Sequence, residues 1–122
     1  MSQPNQLSPR LQQQVVRFQT LKQQYEVVQQ QRVVFERTSR ETEAAMKELE
    51  VAADDVVAYK HVGGIFIRSE KAKLLGNLKE QKESADMQVT VYTKKEEQLK
   101  KVLDEMSNKL QEDLKSAGLG QA

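Results

Sequence analysis

At 122 residues the chain has room for one domain at most, and with 38% apolar and 30% charged residues, no Trp and no Cys, it does not suit a compact globule. Nineteen basic against eighteen acidic residues give a net charge of +1 with the signs interspersed, which leaves out the basic footprint of a nucleic-acid binder. Without cysteine there is neither a disulfide framework nor a thiolate zinc site, and no run is apolar enough to span a bilayer.

The N-terminal stretch MSQPNQLSPR lacks the apolar core of a signal peptide, so a cytoplasmic protein away from membranes is expected. Residues 1–8 read as a flexible start. Ser8-Pro9 then gives a strong helix signal, a capping residue followed by proline at the first helical position. Neither Gly nor Pro occurs from Arg10 to Val62, and a first helix is expected over 9–54. Leu11, Phe18, Tyr25, Arg32, Ser39, Met46 and Ala53 recur every seventh residue. Leu7, Gln14, Leu21, Val28, Phe35, Thr42 and Leu49 fill the alternate offset, which completes an a/d seam with polar lapses in its middle.

At 55–68 the pattern changes. Gly63-Gly64 supplies the positive φ of a tight turn, and β-branched and aromatic residues press on both sides, so a β-hairpin is expected. Its apolar set is Val56, Val57, Tyr59, Val62, Ile65, Phe66 and Ile67. Val57 and Tyr59 are expected on one face with Ile65 and Ile67 across from them, and Val56, Val62 and Phe66 on the other. A two-stranded ribbon this apolar is marginal in water, and its open edges invite pairing with other chains. The alternative is a hairpin that only closes the helix pair and tucks back on it.

A second helix follows over 69–117, with Ser69 as its expected cap. Its seam runs Leu75, Lys82, Val89, Glu96, Leu103 and Leu110, alternating with Leu78, Ala85, Tyr92, Leu99 and Met106. Gly76 interrupts this helix, either as a close backbone approach or as a tolerated defect. Gly118 suits a C-terminal cap, and 118–122 read as a flexible end. Folded antiparallel, the two seams put Phe18 opposite Met106, Leu21 opposite Leu103, Phe35 opposite Val89 and Met46 opposite Leu78. That register centres on Val62, beside the glycines that the hairpin signal picks out independently. It also brings Arg32 and Glu96 within about a turn of each other, as a register-fixing pair or as two side chains snorkelling outward.

The segment AADDVVAYKHVGGIFIRSEK between two charged helices resembles the prefoldin family, and within it the single-hairpin β-type subunits of archaea. Asp54-Asp55, Tyr59-Lys60, Val62-Gly63 and the alternating Ile65 and Ile67 carry the resemblance, while Gly64 occupies a variable position. It implies a fold dominated by α-helix, a long antiparallel two-helix coiled coil whose hairpin pairs between subunits into a β-barrel. It further implies a hexamer of two α-type and four β-type subunits that uses no cofactor or nucleotide. Such a hexamer holds non-native polypeptides at its coiled-coil tips and passes them to a group II chaperonin.

At the tips the seam layers are poor, Leu11 against Asp113 and Gln14 against Leu110. Leu7, Leu11, Val15, Val16, Leu110, Leu114 and Leu119 are therefore expected to be partly exposed and to touch clients. Val56, Val57, Tyr59, Val62, Gly63, Gly64, Ile65, Phe66 and Ile67 are expected to carry oligomerisation. No catalytic reading emerges: His61 is the sole histidine, and Gly63-Gly64 precede a strand rather than the helix of a phosphate loop. The competing reading, from a different class, is a scaffolding coiled coil without chaperone activity.

Overall fold

The computed structural model describes residues 7–118; of the expected loose ends, 1–8 and 118–122, residues 1–6 and 119–122, with Leu119 among them, lie outside that range. Two helices, α1 (Pro9–Val51) and α2 (Lys71–Ser116), flank an antiparallel hairpin of β1 (Ala58–Val62) and β2 (Ile65–Ser69).

The start of α1 follows its sequence signal. The Leu11 amide donates to the Ser8 hydroxyl at 3.2 Å, which satisfies one of the orphan donors of the first turn, and the Gln12 amide makes the first helical bond to the Ser8 carbonyl at 2.9 Å. The other end of α1 comes three residues before the expected Asp54. Its last carbonyls go to Lys71 instead of to further helix: the ammonium donates to the Glu50 and Ala52 carbonyls at 3.1 and 2.7 Å and lies 3.4 Å from Asp54 Oδ1. A cation gathering these oxygens opposes the negative end of the helix dipole. Ala53 consequently leaves the seam, and the chain turns with the Val56 amide on the Ala53 carbonyl. Ser69 is not the cap of α2. It closes the β-ladder opposite Ala58, and the Glu70 carbonyl takes the first helical bond from Leu74.

Both turn glycines have positive φ, +54° at Gly63 and +85° at Gly64, as a two-residue hairpin loop of the primed type requires. That loop pairs Val62 with Ile65, His61 with Phe66, Lys60 with Ile67 and Tyr59 with Arg68. The expected faces are thereby corrected. With two residues in the loop, odd-numbered positions of β1 face even-numbered positions of β2. Val62, Ile65 and Ile67 share an aliphatic face with Ala58 and Lys60, while Tyr59, His61, Phe66 and Arg68 form the other.

The described chain falls into two compact units. The terminal unit holds the ends of the chain, residues up to 30 of α1 and from 92 onward in α2. The hairpin unit spans 31–91. In each, the expected seam positions within the helices are the shielded ones. Leu11 and Leu103 are the best buried apolar residues of the terminal unit, and Ala85 that of the hairpin unit at 4% exposure. Among the described residues no side chain is fully enclosed, as expected when only two helices share a seam.

Candidate functional site: an uncovered hairpin and a frayed terminal seam

The hairpin presents its apolar residues to water. Phe66 is 73% exposed and Ile65 60%, with Val57, Tyr59, Val62 and Ile67 also exposed and Val56 half-buried. Across the strands the His61 and Phe66 rings stack, centroids 4.8 Å apart and planes inclined 29°. β1 borders a cleft of about 550 Å³ whose helical wall includes Leu49, Leu74 and Leu78, with Ala52 just beyond α1. The hairpin thus leans toward its own helices, as the tucked-back alternative has it, yet this leaves Ile65 and Phe66 uncovered. A β-ribbon with free edges and uncovered apolar side chains on both faces is incomplete as a structure.

Beneath the hairpin the seam of this unit turns polar and small. Thr42 is buried and its hydroxyl donates to the Thr38 carbonyl at 2.6 Å, so it leaves no unsatisfied donor. Ser39 on α1 donates to Asp86 on α2, and Lys82 donates to the other Asp86 oxygen at 2.9 Å. The Ser39 hydroxyl, then the Lys82 ammonium, hold the Asp86 carboxyl below the usual carboxylate range, and the Asp86 bond raises Lys82. The helices are therefore also joined by a charge-assisted polar contact. Arg32 and Glu96, the expected charged lapses, are half-buried: Arg32 bonds Glu36 at 2.7 Å, and Glu96 accepts from Gln29 at 3.1 Å.

In the terminal unit Val16 is 60% exposed, while Leu7, Val15, Leu110 and Leu114 are half-buried. Leu11 corrects the expectation of exposure. It is only 7% exposed, because the capped first turn of α1 holds it in the seam. Gln14 Oε1 and Asp113 Oδ2, polar atoms of the layers expected to be poor, are shielded and find no donor among the described residues. A shallow cleft of about 240 Å³ beside them is lined by Gln14, Arg17, Val102, Met106, Lys109 and Leu110. Val102, which is exposed, lies outside the a/d pattern that guided the sequence reading; a search for valine off the seam of α2 would have found it.

Two long helices with a heptad seam, joined by one antiparallel hairpin, define a coiled-coil hairpin protein. The prefoldin subunit family model matches residues 12–117, nearly the whole chain. Relatives named prefoldin subunit beta include one from Methanothrix thermoacetophila, 36% identical over 108 residues, covering 88% of this chain and 90% of the relative. Another, from Archaeoglobus fulgidus, is 34% identical over 105 residues, covering 86% and 90%. The crystal structure of the prefoldin beta subunit from Thermococcus strain KS-1 superposes with a TM-score of 0.76 at 27% identity, covering 90% of this chain and 96% of that one. The chain belongs to the prefoldin family and is a prefoldin-type chaperone subunit.

Proposed function

We propose that the chain is the β-type subunit of a cytoplasmic, hexameric holdase that works without ATP. Four copies join two α-type subunits through their hairpins, whose strands complete a β-barrel. The terminal units hold non-native polypeptides and release them to a group II chaperonin. The observation that carries this reading is the uncovered hairpin, since a ribbon with Ile65 and Phe66 in water gains apolar burial and edge hydrogen bonds only from other chains. In the terminal unit Val16, Val102 and the Met106–Leu110 cleft offer small apolar contacts beside Arg17 and Lys109. Such contacts suit weak, sequence-tolerant grip, made useful by several arms acting together.

Light scattering on this chain mixed with an archaeal α-type subunit is expected to give the mass of a hexamer. A mass that stays at one or two chains overturns the assembly. Replacing Val16 and Val102 with aspartate is expected to leave that mass unchanged while weakening suppression of client aggregation; full suppression by the double variant excludes the terminal unit as the client site.

A further inference from the structure

We infer that His61 makes hairpin pairing dependent on pH, an inference that rests on the reading that hairpins pair. Phe66 is the most exposed apolar side chain of the hairpin, and His61 lies ring to ring with it. Any partner surface that covers Phe66 must therefore cover His61. Histidine is the side chain that changes charge between about pH 5 and pH 8. A neutral imidazole stacked on a phenyl ring can be buried at little cost. An imidazolium must be stripped of water, and its attraction to the ring face is smaller than that loss.

The charges around His61 do not offset the penalty. Arg68 shares its face of the hairpin, opposite Tyr59. Of the residues lining the cleft that His61 borders, α1 contributes one carboxylate, Glu48, β1 contributes the Lys60 ammonium, and α2 contributes the uncharged Asn77 and Gln81 among its polar groups. Two cations and one carboxylate leave no net partner for a third cation. His61 is exposed in the free chain and covered in the paired one, and covering a charged ring costs more than covering a neutral one, so association weakens as pH falls. The limit is about a tenfold loss in association constant per pH unit for each imidazole covered. Because the chain has a single histidine, the effect is assignable to one residue.

The experiment is the mass of this chain mixed with an α-type subunit at about pH 8 and about pH 5.5, on either side of the usual histidine range. Circular dichroism at both values checks that the helices stay folded. The wild-type mixture is expected to assemble at the higher pH and to lose assembly at the lower one. H61Q is expected to assemble at both, and H61K to be impaired at both. Wild-type assembly that is equal at both pH values overturns the inference, as does loss of H61Q assembly on acidification in step with wild type; either result leaves the pairing of hairpins standing. Absence of assembly at either pH in every variant overturns the pairing itself, and this inference with it.

Discussion

The hairpin unit and the terminal unit are built on the same heptad, yet they leave different kinds of apolar surface in water. In the hairpin unit, besides single helical residues such as Val34, Val51 and Met87, the exposed apolar residues Ile65, Phe66 and Ile67 are consecutive, held on a β-ladder with a tight turn, and bordered by backbone donors and acceptors. In the terminal unit they are single valines on a helix surface, beside a shallow cleft and two acceptors that find no donor among the described residues. A β-edge demands a partner of defined geometry, because its hydrogen bonds are directional and its side-chain register has a period of two. Scattered helical valines carry no such demand. The hairpin is thus suited to a fixed partner, and the terminal unit to partners of many sequences.

The sharpest way to break this contrast is to charge the hairpin. Phe66→Glu is expected to abolish association with the α-type subunit while leaving the thermal unfolding of the isolated chain within about 0.5 kcal/mol of wild type, as for other exposed positions. Melting that drops together with assembly shows that Phe66 supports its own chain instead. Next in size is a matched pair of truncations. Leu103→Ala, in the seam, is expected to cost about 2–3 kcal/mol in urea unfolding, toward the low end for buried leucine because a two-helix seam can partly collapse. Ile67→Ala, in the uncovered hairpin, should cost the isolated chain little. Equal losses would erase the distinction between seam and hairpin.

Lys71 tests how the hairpin is anchored. Lys71→Met keeps the stem but removes the cation from the Glu50 and Ala52 carbonyls, with an expected loss of about 1 kcal/mol. Amide exchange should rise first in the last turn of α1; a uniform rise along the helix contradicts a local clamp. Gly76 acts in the opposite sense. A Cβ there meets nothing within 4 Å and its φ is ordinary, so Gly76→Ala is expected to stabilise the chain by about 1 kcal/mol. The close-approach reading of Gly76 finds no support within this chain.

What the sequence displays and what it hides follow from the range of the forces involved. Within the helices the seam is legible, including its polar members Ser39, Thr42, Lys82 and Glu96, because a heptad imposes a repeat on side-chain type; only Ala53, beyond the end of α1, departs from it. The Ser8 cap and the Gly63-Gly64 turn are legible because each depends on a few neighbouring residues. The faces of the hairpin are not, since one residue in the loop length exchanges every side chain between faces. The early end of α1 is equally hidden. It depends on Lys71, nineteen positions beyond the Ala52 carbonyl that it binds. At the terminal site Val16 stands out by type, whereas the burial of Leu11 depends on how a capped turn seats in the seam.

The smallest expected effect concerns the polar contact in the hairpin unit. Asp86 is held below its ordinary value of 3.8, first by the Ser39 hydroxyl and then by Lys82. A carboxylate whose pKa is lowered by folding contributes stability that is full above the unfolded value and is lost as pH falls through the folded one. The contribution is therefore intact at neutral pH and begins to be lost only as pH falls below about 3.8. Lys82 is raised from 10.5 by the same contact, so its share is full below that pH and is lost as pH rises through its folded value. Asp86 is open to water and Lys82 partly so, which keeps the contribution small and sensitive to salt. Asp86→Asn is expected to flatten the acid limb of the stability profile slightly and to leave neutral-pH stability almost unchanged. An acid limb identical to wild type means that the contact orients the helices without stabilising them, and the uncovered hairpin would then sit on a seam held by apolar packing alone.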